Sequence, residues 1–379
     1  MGRLASLHAL GQSAWLDFIS RRFIDDGSLA ALIEAREIQG VTSNPVIFKT
    51  AVASSADYDA QIARLCAVHR DPVRLYEQLA IRDIQAACDV LREVHVKSGG
   101  LDGFVSLEVS PHLAHDCAGT LLEARRLWSM LDRPNAMIKI PATPAGIEVF
   151  EALTTEAIHV NVTLLFSRSV YREVRNAYVR ALEKRAAQGL PIDDIVSVAS
   201  FFVSRVDTEV DALLAERLVG ASVEREAMIR ALQGRVAISH AKLAYDDARA
   251  MQRQDRWRAL VRQAARPQRL LWASTSVKNP CYRELLYVDE LIGIDTINTM
   301  PPETLNAFRE RGRLEATLSR DVADARERLE SLAALGIDLE QVACTLLDRG
   351  LALFRQAFDD LIQSVDIKRQ LLTRSGRSE

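Results

Sequence analysis

Lys139 lies in the run NAMIKIPAT, between Ile138 and Ile140, in an apolar segment of strand character. Desolvating an ammonium group there is expensive, so a purely structural lysine is rare in such a place. Burial favours the neutral amine, which can attack a carbonyl carbon and form an imine. The competing reading is an edge-strand lysine pointing to solvent, and a closed sheet disfavours it. Imine chemistry also needs carboxyl groups for proton transfer, and Asp17 and Glu108 occupy comparable places in two other apolar segments. Taken singly, each would more often be an ordinary paired carboxylate; together with the lysine they point to catalysis. Lysine usage sharpens the case. Of the 48 basic residues only seven are lysine, at positions 49, 97, 139, 184, 242, 278 and 368. A chain that relies on arginine for positive charge keeps lysine where its chemistry is required or where it is tolerated.

The elements that must position these groups recur along the chain. Short apolar segments appear at 14–20, 40–44, 103–110, 136–142, 159–166, 195–203, 269–275 and 295–300. Most are followed by an amphipathic stretch, such as 168–188, where Val170, Val174, Ala177, Tyr178 and Ala181 share one face. Strand alternating with helix predicts βαβ units and a parallel sheet, and eight of them predict a closed (β/α)8 TIM barrel. Polar residues gather at or near the strand ends: Asp17; Thr42 and Asn44; Ser106 and Glu108; Lys139; Asn161 and Thr163; Ser200; Ser274; Asn298. Packing alone would put aliphatic side chains there, whereas a catalytic barrel mouth needs polar ones.

Residues 44–101 and 204–266 are long for single crossovers and read as helical insertions, and residues 301–370 as a helical C-terminal extension. With no linker or low-complexity tract, residues 1–379 are expected to form one α/β domain, with barrel strands between about 14 and 300. The net charge of −3 gives no general basic field for nucleic acid. No stretch predicts a membrane span or a secretory leader, so a cytoplasmic protein is expected. The five cysteines form no C-x-x-C pair and are expected to be reduced and structural. His112 and His115 stand three apart beside Asp116, but no further ligand set accompanies them, so surface histidines are expected and no metal. The four tryptophans read as packing, and the arginine-rich run 253–269 as a solvated helix face.

Seven motifs, in order, carry a resemblance over nearly the whole chain: GVTSNPVIF (40–48), SLEVSPHLAHD (106–116), IKIPATPAGI (138–147), VNVTLLFS (160–167), SVASFFVSRVDTEVD (197–211), WASTSVKNP (272–280) and TINTMPPETL (296–305). The chain resembles transaldolase, most closely the longer bacterial transaldolases of the pentose phosphate pathway. The resemblance implies a transferase that moves a dihydroxyacetone unit from a ketose phosphate, such as fructose 6-phosphate or sedoheptulose 7-phosphate, to an aldose phosphate. No cofactor is implied, because the lysine imine itself is the electron sink.

Position by position, Lys139 takes the place of the Schiff-base lysine and Asp17 that of the acid/base for the C4 hydroxyl. Glu108 and Thr163 match the pair that positions the water of imine formation and hydrolysis. Asn44 and Asn161 match residues that hold substrate hydroxyls, and Ser200 lines the site. Arg205 and Ser274 match phosphate-binding positions, with Lys278 as a further candidate cation. The chain departs from the family in having Ser43 where threonine is common, Ser110 where many members carry aspartate, and Lys278 where some place an arginine. Lysine there is a point charge without the bidentate fork. Two other readings stand beside this one: an aldolase-type lyase releasing free dihydroxyacetone, and a catalytically silent barrel that binds sugar phosphates or a protein partner. The oligomeric state is not legible.

Overall fold

The computed structural model describes residues 2–375. Eight parallel strands close into a barrel in chain order: β1 Gln12–Leu16, β2 Gly40–Val41, β3 Val105–Glu108, β4 Ala136–Pro141, β5 Val160–Leu165, β6 Ser197–Phe202, β7 Arg269–Ala273 and β8 Thr296–Met300. Seven fall within the expected apolar segments and β1 overlaps its own, starting two residues before the expected 14, so the (β/α)8 barrel expected from the strand–helix alternation is the fold. The strands are shorter than the segments. Asp17, Thr42, Asn44 and Ser274 lie just past the last paired residues, in the loops at the C-terminal rim, where the chain leaves the ladder to start a helix.

Several strand-to-helix turns are closed by a capping side chain. Asn44 accepts from Ile47 N at 3.1 Å, Asp116 from Gly119 N at 2.9 Å, Thr143 from Gly146 N at 3.0 Å and Ser167 from Val170 N at 3.1 Å. Each satisfies one of the backbone donors that a helix start leaves open. These caps fix where each helix leaves the rim, and with it the direction of the loop side chains.

The segment 44–101 holds the helices Pro45–Ala53, Asp59–Leu65, Pro72–Val90 and Arg92–Lys97, and the segment 204–266 holds Ser204–Leu218, Val223–Leu232, Val236–Gln252 and Asp255–Val261. The C-terminal extension contributes Pro302–Arg311, Val322–Ala334 and the 37-residue helix Leu339–Ser375. No helix among the described residues is long and apolar enough to cross a membrane.

At the rim opposite the candidate site, buried Asp102 accepts from Ser13 Oγ at 2.7 Å, Trp15 Nε1 at 3.0 Å and Arg269 Nη1 at 3.1 Å. Arg269 also donates to Ser13 Oγ at 2.6 Å and to the Thr296 carbonyl at 3.0 Å. A buried charge pair is tolerable when its remaining hydrogen-bonding capacity is used in this way. Arg269 therefore corrects the reading of 253–269 as a solvated face: the run ends on a residue that enters β7 and ties the barrel floor together. The cysteines also divide. All five are free, but Cys281 and Cys344 are exposed and pack nothing.

Candidate active site

Register places the key side chains in one layer. Lys139 of β4 stands opposite Glu108 of β3 and Asn161 of β5, so all three point to the same side of the sheet, into the barrel. Lys139 is 5% exposed; its Nζ donates to the Ser43 carbonyl at 3.0 Å and lies 3.3 Å from Glu108 Oε2. Of the seven lysines one other is buried, Lys242, which donates to the Arg320 carbonyl outside the barrel mouth. Burial by itself therefore does not single out Lys139; burial beside carboxyl groups does.

Asp17 leaves β1 with its backbone N–H held by the Met300 carbonyl. Its Oδ1 accepts from Thr42 Oγ1 at 2.6 Å, and Thr42 in turn meets Thr299 Oγ1 at 2.7 Å. Burial pushes the Asp17 carboxyl above its ordinary range, and the charge of Lys139 and the Thr42 hydrogen bond pull it partly back. Glu108 is shifted the same way, by burial first, against the opposing Lys139 charge and with a further push from Asp17. Two carboxyls thus face one lysine, both held more readily protonated than free carboxylates. A carboxyl held in this way is better suited to take up and give back a proton than a free carboxylate.

Thr163 of β5 is fully buried and its Oγ1 has no hydrogen-bond partner in the protein. Asn161 is different. Its Nδ2 donates to Ser106 Oγ at 3.1 Å and its Oδ1 accepts from Ser200 Oγ at 2.7 Å, a chain that crosses three strands. It is buried and does not line the mouth. Asn44 lines the mouth, with its oxygen committed to the helix cap and its amide N–H groups left to donate.

The mouth itself is a cavity of about 290 Å³. Of the sequence-derived candidates it brings together Asp17, Asn44, Lys139, Thr163, Ser200, Arg205, Ser274 and Lys278. Glu108 instead faces an adjoining cavity that it shares with Tyr76 and Glu123, while its carboxyl still reaches Lys139. Arg205, in the first turn of Ser204–Leu218, is half-buried and makes no ion pair among the described residues; it lies over the Phe202 ring at 5.5 Å. Burial alone lowers its pKa, with no acidic neighbour to offset it. Ser274 Oγ meets Ser204 Oγ at 3.0 Å, and Lys278 Nζ donates to Ser276 Oγ at 2.8 Å at the open side. One side of the mouth is therefore cationic and hydroxyl-rich, complementary to an anion.

Some contributors carried no signal in the sequence. Phe354 of Leu339–Ser375 lines the mouth, its ring centre 5.9 Å from Lys139 Nζ. It comes from more than 200 residues further along the chain, in a helix read only as a tail. Gly350, one turn earlier, packs close to the barrel: a Cβ there would lie 3.1 Å from Leu164 Cδ2, a tight contact. Leu164 has φ +57° beside the irregular pairing of β5 with β6. Thr299 of β8 and Ser276 also reach the site. His112, expected to be a surface residue, is exposed and hydrogen-bonds Asp359 of the same C-terminal helix at 2.7 Å.

The site is thus a closed parallel barrel whose C-terminal rim gathers a buried lysine, two carboxyls raised by burial and a cationic wall. The chain belongs to the transaldolase/fructose-6-phosphate aldolase family, which it matches over residues 14–365. It is 48% identical over 356 residues to a transaldolase of Thiobacillus denitrificans, covering 94% of this chain and 97% of that one. It is 46% identical over 359 residues to one of Neisseria gonorrhoeae (95% and 98% covered). A transaldolase of Trichodesmium erythraeum is 42% identical over 373 residues, with 98% of both chains covered.

Proposed function

We propose that the chain is a transaldolase that works through a Schiff base on Lys139. The observation that carries this reading is the placement of Lys139 Nζ, buried in the barrel mouth 3.3 Å from Glu108 and under the charge influence of Asp17. The amine attacks the C2 ketone of a ketose phosphate, and the carbinolamine loses water to give a protonated imine. Glu108 and Thr163 are suited to hold that water: one offers a carboxyl, the other a buried hydroxyl with no protein partner. Asp17 then takes the proton of the C4 hydroxyl. The C3–C4 bond breaks, its electron pair moves into the imine to form an enamine, and an aldose phosphate leaves.

The enamine carbon next adds to the aldehyde of an acceptor aldose phosphate, Asp17 returns its proton to the new hydroxyl, and water hydrolyses the imine to release the product ketose. Asn44 and Ser200 are placed to hold substrate hydroxyls, with Asn161 behind them orienting Ser200. Arg205, Ser274 and Lys278 provide the wall against which a phosphate would rest. We assign the cytoplasm as the place of action on the strength of the substrates.

Borohydride trapping with fructose 6-phosphate, followed by peptide mapping, tests the reading. A stable three-carbon adduct on Lys139, absent from Lys139→Ala, is the expected result. An adduct on Lys242, or none, would overturn the mechanism. Adding erythrose 4-phosphate separates transferase from lyase: efficient dihydroxyacetone release without the acceptor would assign the chain to the lyase side of the family.

A further inference from the structure

Behind the cationic wall two aspartates, one helical turn apart on Ser204–Leu218, are used in the same way. Asp207 accepts from Ala237 N at 2.7 Å and from Tyr287 Oη at 2.9 Å. Asp211 accepts from Gly234 N at 3.1 Å and from Tyr282 Oη at 2.7 Å. Each carboxylate thus joins three pieces of chain: the helix that begins with Arg205, the start of Val236–Gln252, and the segment that follows β7. Asp207 and Tyr287 are both buried. Gly234 has φ +67°, and a Cβ there would lie 2.6 Å from Tyr282 Cζ, so the absence of a side chain is what lets the tyrosine ring reach Asp211.

The segment held in this way carries Ser276 and Lys278 to the mouth. Its near end is fixed by Ser204 N donating to the Ser274 carbonyl at 3.0 Å. Among the described residues, the hydrogen bonds that tie its far end to the Arg205 helix come from the two tyrosine hydroxyls, beside the buried Leu285 and Val288. These hydrogen bonds help set the separation between Arg205 and the Ser276–Lys278 pair, and both sides must keep their spacing to meet one anion.

We propose that Asp207, Asp211, Tyr282 and Tyr287 are positioning residues that set the width of an anion site between Arg205 and the Ser276–Lys278 loop. They thereby set the preference for phosphorylated over unphosphorylated sugars. The proposal rests on the reading of that wall as a phosphate site. None of the four touches the lysine or the carboxyls around it, so their effect falls on recognition of the distal group and not on imine chemistry.

The test uses Tyr282→Phe, Tyr287→Phe and the double variant, which remove only hydroxyls and keep the ring packing. Inorganic phosphate is the binding probe, followed by calorimetry, and kinetics are taken with fructose 6-phosphate and with unphosphorylated fructose. In the double variant, phosphate affinity is expected to fall and KM for fructose 6-phosphate to rise by about tenfold, the weight of a hydrogen bond to a charged group. KM for fructose is expected not to move. Equal rises for both sugars, or unchanged phosphate binding, would overturn the clasp. If the double variant melts below the assay temperature, the single variants carry the same comparison. Arg205→Ala keeps the two hypotheses apart: loss of phosphate binding in Arg205→Ala with none in the tyrosine variants sinks the clasp alone. Undiminished phosphate binding in Arg205→Ala sinks the phosphate reading on which it rests.

Discussion

Phe354 stands over Lys139, its ring centre 5.9 Å from Nζ, although the two residues are more than 200 positions apart in the chain. The contact exists because the C-terminal helix is strapped across the barrel mouth. Lys49 pairs with Asp360 at 2.6 Å, Lys368 with Asp59 at 2.6 Å and Arg349 with Glu209 at 2.5 Å. Glu340 takes the Ser167 hydroxyl at 2.6 Å, fixing the start of the helix to a barrel loop. The aromatic ring covers that side of the mouth beside the lysine and limits the access of bulk water to it.

Shortening this ring should let water reach the enamine. Phe354→Leu is expected to increase dihydroxyacetone release without an acceptor by about tenfold, corresponding to about 1.4 kcal/mol between water and acceptor as competitors. Phe354→Ala should go further but costs about 3–5 kcal/mol of stability, since the side chain is buried. Product analysis with and without erythrose 4-phosphate reads the partition; an unchanged ratio in Phe354→Leu would remove Phe354 from any role in excluding water.

With Asp17 as the base, the acid limb of kcat/KM should lie above the ordinary carboxylate range, because burial raises this group. Activity is lost as pH falls through the raised value and the base becomes protonated. Thr42→Val removes the 2.6 Å hydrogen bond that opposes the rise while keeping the shape of the side chain. Its acid limb should therefore move to higher pH. A pH–rate profile that stays in place, or moves the other way, would show that another group sets the limb.

Asp207 provides a stability test separate from catalysis. Burial pushes its carboxyl up to about 7 from an ordinary 3.8. Between these values the folded protein holds a proton that the unfolded chain has released, so folding is favoured at low pH and loses this advantage as pH rises. The slope is at most about 1.4 kcal/mol per pH unit, and the loss is complete above the folded value. Asp207→Asn can accept the Ala237 N–H and donate to the Tyr287 hydroxyl, and it does not titrate. Its stability relative to the parent should rise from about pH 4 to about pH 7 in denaturant titrations. A difference independent of pH would mean that Asp207 is not held protonated in this window.

The alternation of apolar segments with amphipathic stretches was enough to read the barrel, because packing in a closed parallel sheet acts on every strand alike. The C-terminal ends of several strands were read too long because their extent is not set locally. A ladder stops when its neighbour stops, as β2 does after Val41, and that depends on β1 and β3 and not on the residues of β2. The candidate site was legible in part. Lys139 between two isoleucines is anomalous by its own neighbours, and Asp17 and Thr163 sit in segments whose direction the barrel dictates, whereas Arg205 was pointed to only by the family resemblance.

What the sequence could not show is which polar groups are already spoken for and which distant segments complete the mouth. Asn161 looks like a substrate ligand in its motif; the structure shows its amide also bonded to Ser106 and Ser200, which its sequence neighbours do not reveal. Arg269 looks like one more surface arginine, yet Asp102 and Ser13 draw it into the floor. Phe354 looks like one more apolar position of a long amphipathic helix; only the ion pairs that lay this helix across the rim bring it to Lys139. The sequence by itself determined the barrel and the chemical character of its mouth, since hydrophobic periodicity and an improbable lysine are properties of short stretches. The tertiary structure alone decided the closure of the mouth and the spacing of its anion wall. Those depend on hydrogen bonds and packing between segments hundreds of residues apart, whose pairing no local pattern encodes.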